Sequence, residues 1–539
     1  MRLILGPLLR HAGETEATVW VQTSAPCEVS VGGARERTFT VEGHHYALVR
    51  VTGLEPGSAT PYEVALDGAV VWPEPGSPFP PSVLRTNTPG EPVRIVFGSC
   101  RVAAPHEPPY TLRKDQHADG REVDALRALA LRMTHAPVEE WPHALLMLGD
   151  QVYADEVHPP VEPPIESFDD YVDLYVAAWG EPVIRWLLST VPTAMIFDDH
   201  DVHDDWNTSR EWVAEMRAHA WWRRRIVAAF ESYLIYQHLG NLSPDERAAF
   251  ELYERLRTGD DPTAELREFA RRADVEVEGT RWSFCRDIGN VRVVMVDSRA
   301  GRVLDPGNRS MVDADEWRWI EAHARGGVDH LLIGTSLPLI MGPALHWLEA
   351  WDELVADGAW GRGWKRVAEK LRTALDLEHW PAFQASFRRM CDLLCEVGAG
   401  RRGPAPSTIC VLSGDVHHAY LAQVGFAPGS GVESAVWQAV CSPFRNPLDA
   451  KERRVILAAW RPPAGRLMRV LARRAGVADP PVRWRLAHAR PWFNNQVATL
   501  RFDGPHAAFE LERAVPAREP VLECVYTRSI EPNAVFASA

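Results

Sequence analysis

Asp198-Asp199-His200-Asp201-Val202-His203-Asp204-Asp205 places seven ionisable side chains, five of them Asp, directly after the apolar run Val191–Phe197. An apolar run of that length predicts a buried strand. Five like charges at the end of such a strand repel one another. They are tolerated if cations neutralise them, if their pKa values rise, or if they splay into water. A solvated acidic turn meets the last condition, but the same arrangement recurs along the chain.

Val93–Phe97 runs into Gly98-Ser99-Cys100-Arg101, and Ala144–Leu148 runs into Gly149-Asp150-Gln151-Val152-Tyr153-Ala154-Asp155. Val291–Val296 runs into Asp297-Ser298-Arg299, and Ile409–Leu412 into Ser413-Gly414-Asp415-Val416-His417-His418. In α/β folds the carboxyl ends of buried strands converge on one rim, where ligand sites form. Glycine lets the backbone turn sharply there. The ligand-type residues at these ends are Cys100, Asp150, Tyr153, Asp199, Asp415 and His417. Singly, each has a plainer explanation: a buried thiol, a rim aromatic, a satisfied imidazole, a Gly-Asp turn. Together they form an oxygen-rich set with a thiol, a phenol and an imidazole. Carboxylates suit hard divalent cations, whereas imidazole, thiolate and phenolate suit a transition metal. Two such cations a few ångströms apart would clamp a phosphate and activate a water.

These segments, with Asp204-Asp205-Trp206-Asn207, resemble the signature of the alkaline phosphatase D (PhoD-like) family of calcineurin-like metallophosphoesterases, over roughly residues 1–515. The resemblance implies ferric iron on Cys100, Asp150 and Tyr153, with Asp150 bridging to calcium or another divalent cation. It implies that Asp199, Asp415 and His417 complete the metal set, that His200 faces the phosphate, and that Asn207 and Arg299 lie near the site. Arg299 would stabilise charge developing on the phosphoryl oxygens. The implied reaction is hydrolysis of phosphomonoesters, phosphodiesters or both by a metal-activated hydroxide at a multinuclear site. The alternative is a non-catalytic metal-containing protein that binds a partner or a phosphate-bearing ligand. Two departures stand out. Glu378-His379-Trp380 occupies a place where the family often reads Asp-x-Trp, and His418 follows His417, either touching phosphate or facing solvent. Characterised members typically carry a twin-arginine export signal, which this sequence lacks.

Elements must position these residues, and 539 residues are too many for one core. Residues 1–89 read as a small all-β domain: Thr18–Val21 and Tyr62–Leu66 as strands, with Asp67-Gly68 as a hairpin turn. The pattern resembles a fibronectin-III/Ig-like sandwich. Residues 91–513 hold the motif-bearing strands and read as an α/β two-sheet sandwich flanked by helices, with helical insertions at about 205–285, 340–405 and 449–490. Asp169–Leu188 and Trp212–Leu239 are apolar at helical spacing, as are Trp380, Phe383, Phe387 and Leu394. Val497–Phe502 and Ala508–Leu511 read as a hairpin around Asp503-Gly504, and residues 514–539 as a tail.

The net charge of −15, from 58 Lys and Arg against 73 Asp and Glu, argues against a general nucleic-acid binder, while the resemblance implies a small phosphate-ester substrate. Eight cysteines without paired metal-site spacing predict no disulfide framework, consistent with a cytoplasmic setting. The N-terminus shows no signal-peptide pattern, and no run is long enough to span a membrane. Residues 449–490 differ, with eleven Lys and Arg against three Asp and Glu. They read as a charged helical insertion packed by Trp460, Leu467, Val470 and Leu471, with a basic surface for docking on a membrane or an anionic substrate as the alternative.

Overall fold

The computed structural model describes residues 1–258 and 262–531. Alternating apolar residues make the N-terminal part all-β: β1 (Leu3–Ala12), β2 (Glu16–Thr23), β3 (Glu28–Val31), β4 (Ala34–Arg37), β5 (Phe39–Val41), β6 (His44–Thr52), β7 (Ala59–Pro61), β8 (Val64–Leu66), β9 (Ala69–Trp72) and β10 (Val83–Arg85). Two four-stranded sheets, β1-β2-β6-β5 and β4-β3-β8-β9, are joined by a separate β7-β10 pair. Val19, Val21, Val29, Val49 and Val64 fill the core between them. Asp67 and Gly68 connect β8 to β9 at φ 46° and 84°, a twist that matches the strands they join. The domain is docked onto the rest of the chain. Arg10 donates to the carbonyls of Tyr236 and Gln237 at 2.7 Å, and Trp20 Nε1 donates to that of Ile235 at 2.9 Å.

The remaining strands are β11 (Val93–Gly98), β12 (Ala144–Leu148), β13 (Thr193–Ile196), β14 (Phe284–Ile288), β15 (Val291–Val296), β16 (His330–Thr335), β17 (Thr408–Ser413), β18 (Tyr420–Gly425), β19 (Ala435–Val440), β20 (Arg483–Leu486), β21 (Gln496–Asp503), β22 (His506–Val515) and β23 (Val521–Ser529). They make a six-stranded sheet, β13-β12-β11-β21-β22-β23, and a seven-stranded sheet, β14-β15-β16-β17-β19-β18-β20. Within them β11, β12 and β13 run parallel, as do β15, β16, β17 and β19. Parallel strands are covered on both faces and therefore read as unbroken apolar runs. Every residue of β12, β13, β16 and β17 is buried. Val96 and Leu146 of one sheet share a core with Leu332, Cys410 and Leu412 of the other. Five of the parallel strands, β11, β12, β13, β15 and β17, thus deliver their carboxyl ends to one rim.

Several expectations need correction. Asp169–Leu188 is two helices, Phe168–Trp179 and Pro182–Thr190, because Pro182 has no N–H to continue the first. Trp212–Leu239 is likewise broken, at His219–Trp221. The helix expected from Trp380 begins at Gln384, after a short 3₁₀ turn containing Pro381. The tail expected at 514–539 is largely sheet: β23 pairs antiparallel with β22 and covers an edge that would otherwise be open. Residues 532–539 of that tail lie outside the described residues. In the basic segment, Trp460 and Leu471 pack inward as expected, but Leu467 and Val470 do not. No helix among the described residues is long and apolar enough to cross a membrane.

Candidate metal centre

Each strand end on the rim turns sharply to aim a side chain inward. Ten non-glycine residues have positive φ among the described residues, and six of them belong here: Cys100, Asp150, Asp205, Asn207, Asp415 and His417. Left-handed backbone is costly for such residues and persists where the surroundings enforce it. Two glycines allow the close approach. A Cβ on Gly149 would lie 2.6 Å from Asp198 Cβ, and one on Gly414 would lie 2.1 Å from Ser99 Oγ. Asp201 ties two of the loops together. Its carboxylate accepts the backbone N–H groups of Asp150 (3.1 Å), Val152 (3.3 Å) and Asp198 (2.9 Å).

Three overlapping groups result. Cys100, Asp150 and His417 form one, Asp150, Asp199 and His200 a second, and Asp198, Asp199 and Asp415 a third. Within each group the ligand atoms lie within 4.8 Å of one another. Asp150 belongs to the first and second, and Asp199 to the second and third. Tyr153 joins through its hydroxyl, which donates to Asp150 Oδ2 at 3.3 Å and accepts from Asn446 Nδ2 at 3.3 Å. Its ring stacks on His200 at 4.6 Å between centroids. The sulfur of Cys100 lies 3.5 Å from the Asp415 carbonyl oxygen.

Arg299 sits fully buried among carboxylates. It pairs with Asp198, with Asp199 at 3.1 Å, with Glu378 at 2.5 Å and with Asp415 at 3.6 Å. Arg302 shares Glu378 at 3.2 Å. His379 bridges two buried carboxylates, Nδ1 to Glu349 at 2.8 Å and Nε2 to Asp415 at 2.9 Å. His200 Nδ1 faces both oxygens of Asp155, at 3.0 and 3.1 Å.

The electrostatics follow from this packing. Burial, reinforced by neighbouring carboxylates, pushes Cys100, Tyr153 and Asp150 well above their usual values. Burial also raises Asp198 despite the Arg299 guanidinium. Asp415 and Glu378 go the other way. Burial opposes their ionisation, but His379 for Asp415, and the guanidiniums of Arg299 and Arg302 for Glu378, outweigh it. Burial holds His417 down at about 3, whereas Asp155 and Asp199 overcome burial to raise His200. The oxygens Asp150 Oδ1 and Asp198 Oδ2 are buried without a hydrogen-bond donor. Buried acceptors in that state need a positive partner. Thiol, phenol, imidazole and carboxylate on one side, and carboxylates alone on the other, fit a transition metal beside a harder cation.

All six residues expected as ligands are therefore brought together, and His200 with them. Arg299, expected near the site, is buried there and neutralises carboxylates. Asn207 donates through Nδ2 to the Arg299 carbonyl at 3.1 Å and so fixes that loop. His418 neither faces solvent nor reaches the rim, being buried with its ring against Tyr420 and Phe493. Asp198, also in the acidic run, joins the ligand-type residues through its group with Asp199 and Asp415. Asn446, a further residue of the site, follows the end of β19 in Cys441-Ser442-Pro443-Phe444-Arg445-Asn446, one more strand end with a signal of the same kind. Glu349 lies on the helix Pro343–Ala356, where no local signal marks it.

The family model of PhoD-like phosphatases matches residues 130–464, and that of a domain of unknown function, DUF7800, matches residues 1–84. No curated protein matches the chain. Among solved structures, that of PhoD superposes with a TM-score of 0.60 at 12% identity, covering 98% of this chain and 90% of the other. A purple acid phosphatase, PPD1, from yellow lupin (Lupinus luteus) seeds gives a TM-score of 0.47 at 11% identity, covering 97% of this chain and 74% of the other.

Proposed function

The chain belongs to the PhoD-like phosphatase family, so phosphoric-ester hydrolysis is its class of reaction, and we propose that it hydrolyses small phosphate esters at a centre holding iron and a second divalent cation such as calcium. One observation carries this reading: three overlapping donor groups meet at the ends of strands from both sheets, with two buried carboxylate oxygens, Asp150 Oδ1 and Asp198 Oδ2, lacking any donor. Cys100, Asp150, Tyr153 and His417 would hold the iron. Asp150, Asp199 and Asp415, with Asp198, would hold the harder cation. When bound, the cations supply Lewis acidity toward the phosphoryl oxygens and lower the pKa of water.

The chain's own residues do the rest. Asp155 anchors His200 through Nδ1, and Nε2 lies 3.9 Å from Asp204 Oδ1. With its pKa raised by Asp155 and Asp199, His200 carries a proton at Nε2. As the water oxygen bonds to phosphorus and the phosphorus–ester oxygen bond breaks, that proton passes to the departing oxygen. Tyr153, stacked on the imidazole, keeps the ring in place. Arg299 and His379 hold Asp198, Asp199 and Asp415 in their ligand positions.

The test is an assay of purified protein on a generic phosphomonoester and a generic phosphodiester, before and after chelation. We expect turnover to vanish on chelation, the melting temperature to fall, and both to return with iron plus calcium, because cations that bind only the folded state stabilise it. Undiminished turnover in rigorously metal-free protein would overturn the reading.

A further inference from the structure

The helices Pro343–Ala356, Arg362–Ala374 and Pro462–Ala475 pack as a layer outside the sheets, around Trp347, Trp351, Val355, Ala368 and Ala472. A helix that buries one side is expected to present polar residues on the other. These do not. Six of the eleven large apolar side chains exposed among the described residues lie on this layer and the segments beside it: Trp364, Val367, Leu375, Val455, Leu467 and Val470. Leu467 is the most exposed of them, at 69%, and Trp364 is 48% exposed. Exposed apolar side chains concentrated on one helical layer suit an interaction surface.

Charge identifies the partner. The chain as a whole carries −15, yet residues 362–374 hold five Lys and Arg against one Glu, and residues 449–475 hold eight against two acids. The acids are already engaged. Glu369 pairs with Arg372 at 3.0 Å, while Asp449 and Glu452 close the capping box of the helix Ala450–Ala459. By contrast Arg362, Arg366, Lys370, Arg454, Arg461 and Arg466 form no ion pair among the described residues. Exposed Trp, Leu and Val interleaved with unpaired Arg and Lys is the composition of a surface that sits in the headgroup region of an anionic bilayer. A self-complementary dimer face would not place so many like charges opposite one another.

The layer also borders the metal centre. The helix Arg362–Ala374 leads within five residues to Glu378 and His379, and Asn446 stands just before the cap of the helix Ala450–Ala459. We infer that this helical layer docks the protein on an anionic phospholipid surface, apolar side chains inserted and basic side chains against the headgroups. The inference stands apart from the assignment of the reaction, since it concerns residues outside the donor groups.

The experiment is co-sedimentation of the full chain with vesicles of phosphatidylglycerol and phosphatidylcholine, against phosphatidylcholine alone, at low and high salt. We expect binding to the anionic vesicles only, weakened by salt. Trp364→Ser with Leu467→Ser, and separately Arg454→Glu with Arg461→Glu and Arg466→Glu, should each weaken it at least about tenfold. Melting temperature and turnover on a soluble ester should not change in either variant, which separates this result from failure of the centre. Equal binding to both vesicle types, or none, would overturn the inference. So would a dimer in light scattering that Leu467→Ser dissociates, or binding that the apolar variant leaves intact and soluble polyphosphate abolishes.

Discussion

The two sides of the metal centre solve the same electrostatic problem differently. Cys100, Asp150 and Tyr153 are three acids in contact, and burial drives all three toward their neutral forms. The imidazole beside them, His417, is itself held neutral by burial. On the other side four carboxylates, Asp198, Asp199, Glu378 and Asp415, surround Arg299, with Arg302 and His379 behind them. There part of the compensation is built into the chain, and Asp415 and Glu378 stay ionised. A side that neutralises itself by protonation must lose protons to take up a cation, and its affinity will depend steeply on pH. A side that carries its own guanidinium stays assembled whatever occupies the rim.

Arg299→Leu is the largest expected disruption. It leaves buried carboxylates without their partner, which costs about 3–5 kcal/mol. We expect a markedly lower melting temperature both with and without chelator. A melting temperature within the error of the unsubstituted protein would mean that the guanidinium is not the internal counter-charge.

Asp150→Asn should separate the two sides most clearly. With cations present, turnover should fall by at least about a hundredfold, since even residues that merely orient metal ligands cost 10- to 100-fold when changed. In chelated protein the same substitution should leave the melting temperature equal or higher, because Asn replaces a buried carboxylate whose Oδ1 has no donor. Asp155→Asn should cost less turnover, as Asp155 acts through His200. Equal losses from the two variants, both folded, would move the shared ligand elsewhere.

How much of this was legible in the sequence follows from the same contrast. The strand ends were readable because the apolar runs of β11, β12, β13, β15 and β17 stop abruptly at residues of metal-ligand type. The compensating side was not, because it is assembled from distant segments. Arg299, Glu378, His379 and Glu349 come from a strand end, a loop and a helix, and no local spacing brings them together. Arg299 was visible as a charged residue near the site, but only the surrounding carboxylates show that it faces inward. The break between Phe168–Trp179 and Pro182–Thr190 was marked by Gly180 and Pro182, which the apolar periodicity overrode.

His379 tests whether the compensating side also tunes a ligand. Its Nε2 donates to one oxygen of Asp415, and Glu349 fixes the ring from behind. His379→Ala should weaken binding of the harder cation by about tenfold, measured by calorimetric titration of the chelated protein. His379→Gln, which keeps a donor, should restore part of it. Unchanged affinity in His379→Ala would leave the bridge a packing feature only.

The smallest expected effect on turnover, and the most informative about the self-neutralising side, belongs to Tyr153. A phenolate bound to ferric iron gives a visible charge-transfer absorption, whereas zinc, magnesium and calcium give none. In the polypeptide the Tyr153 phenol is held neutral by burial and by Asp150, so only a strongly acidic cation can ionise it. Protein produced with iron should therefore be coloured. Tyr153→Phe should lose the long-wavelength band while keeping turnover within about tenfold, because Cys100, Asp150 and His417 still converge on the cation. Cys100→Ser should lower iron content more than Tyr153→Phe, since a hydroxyl is a poorer anionic donor than a thiolate. A colourless protein that keeps full activity with calcium alone would show that protonation is how this side normally rests, and would leave the carboxylate side as the working centre.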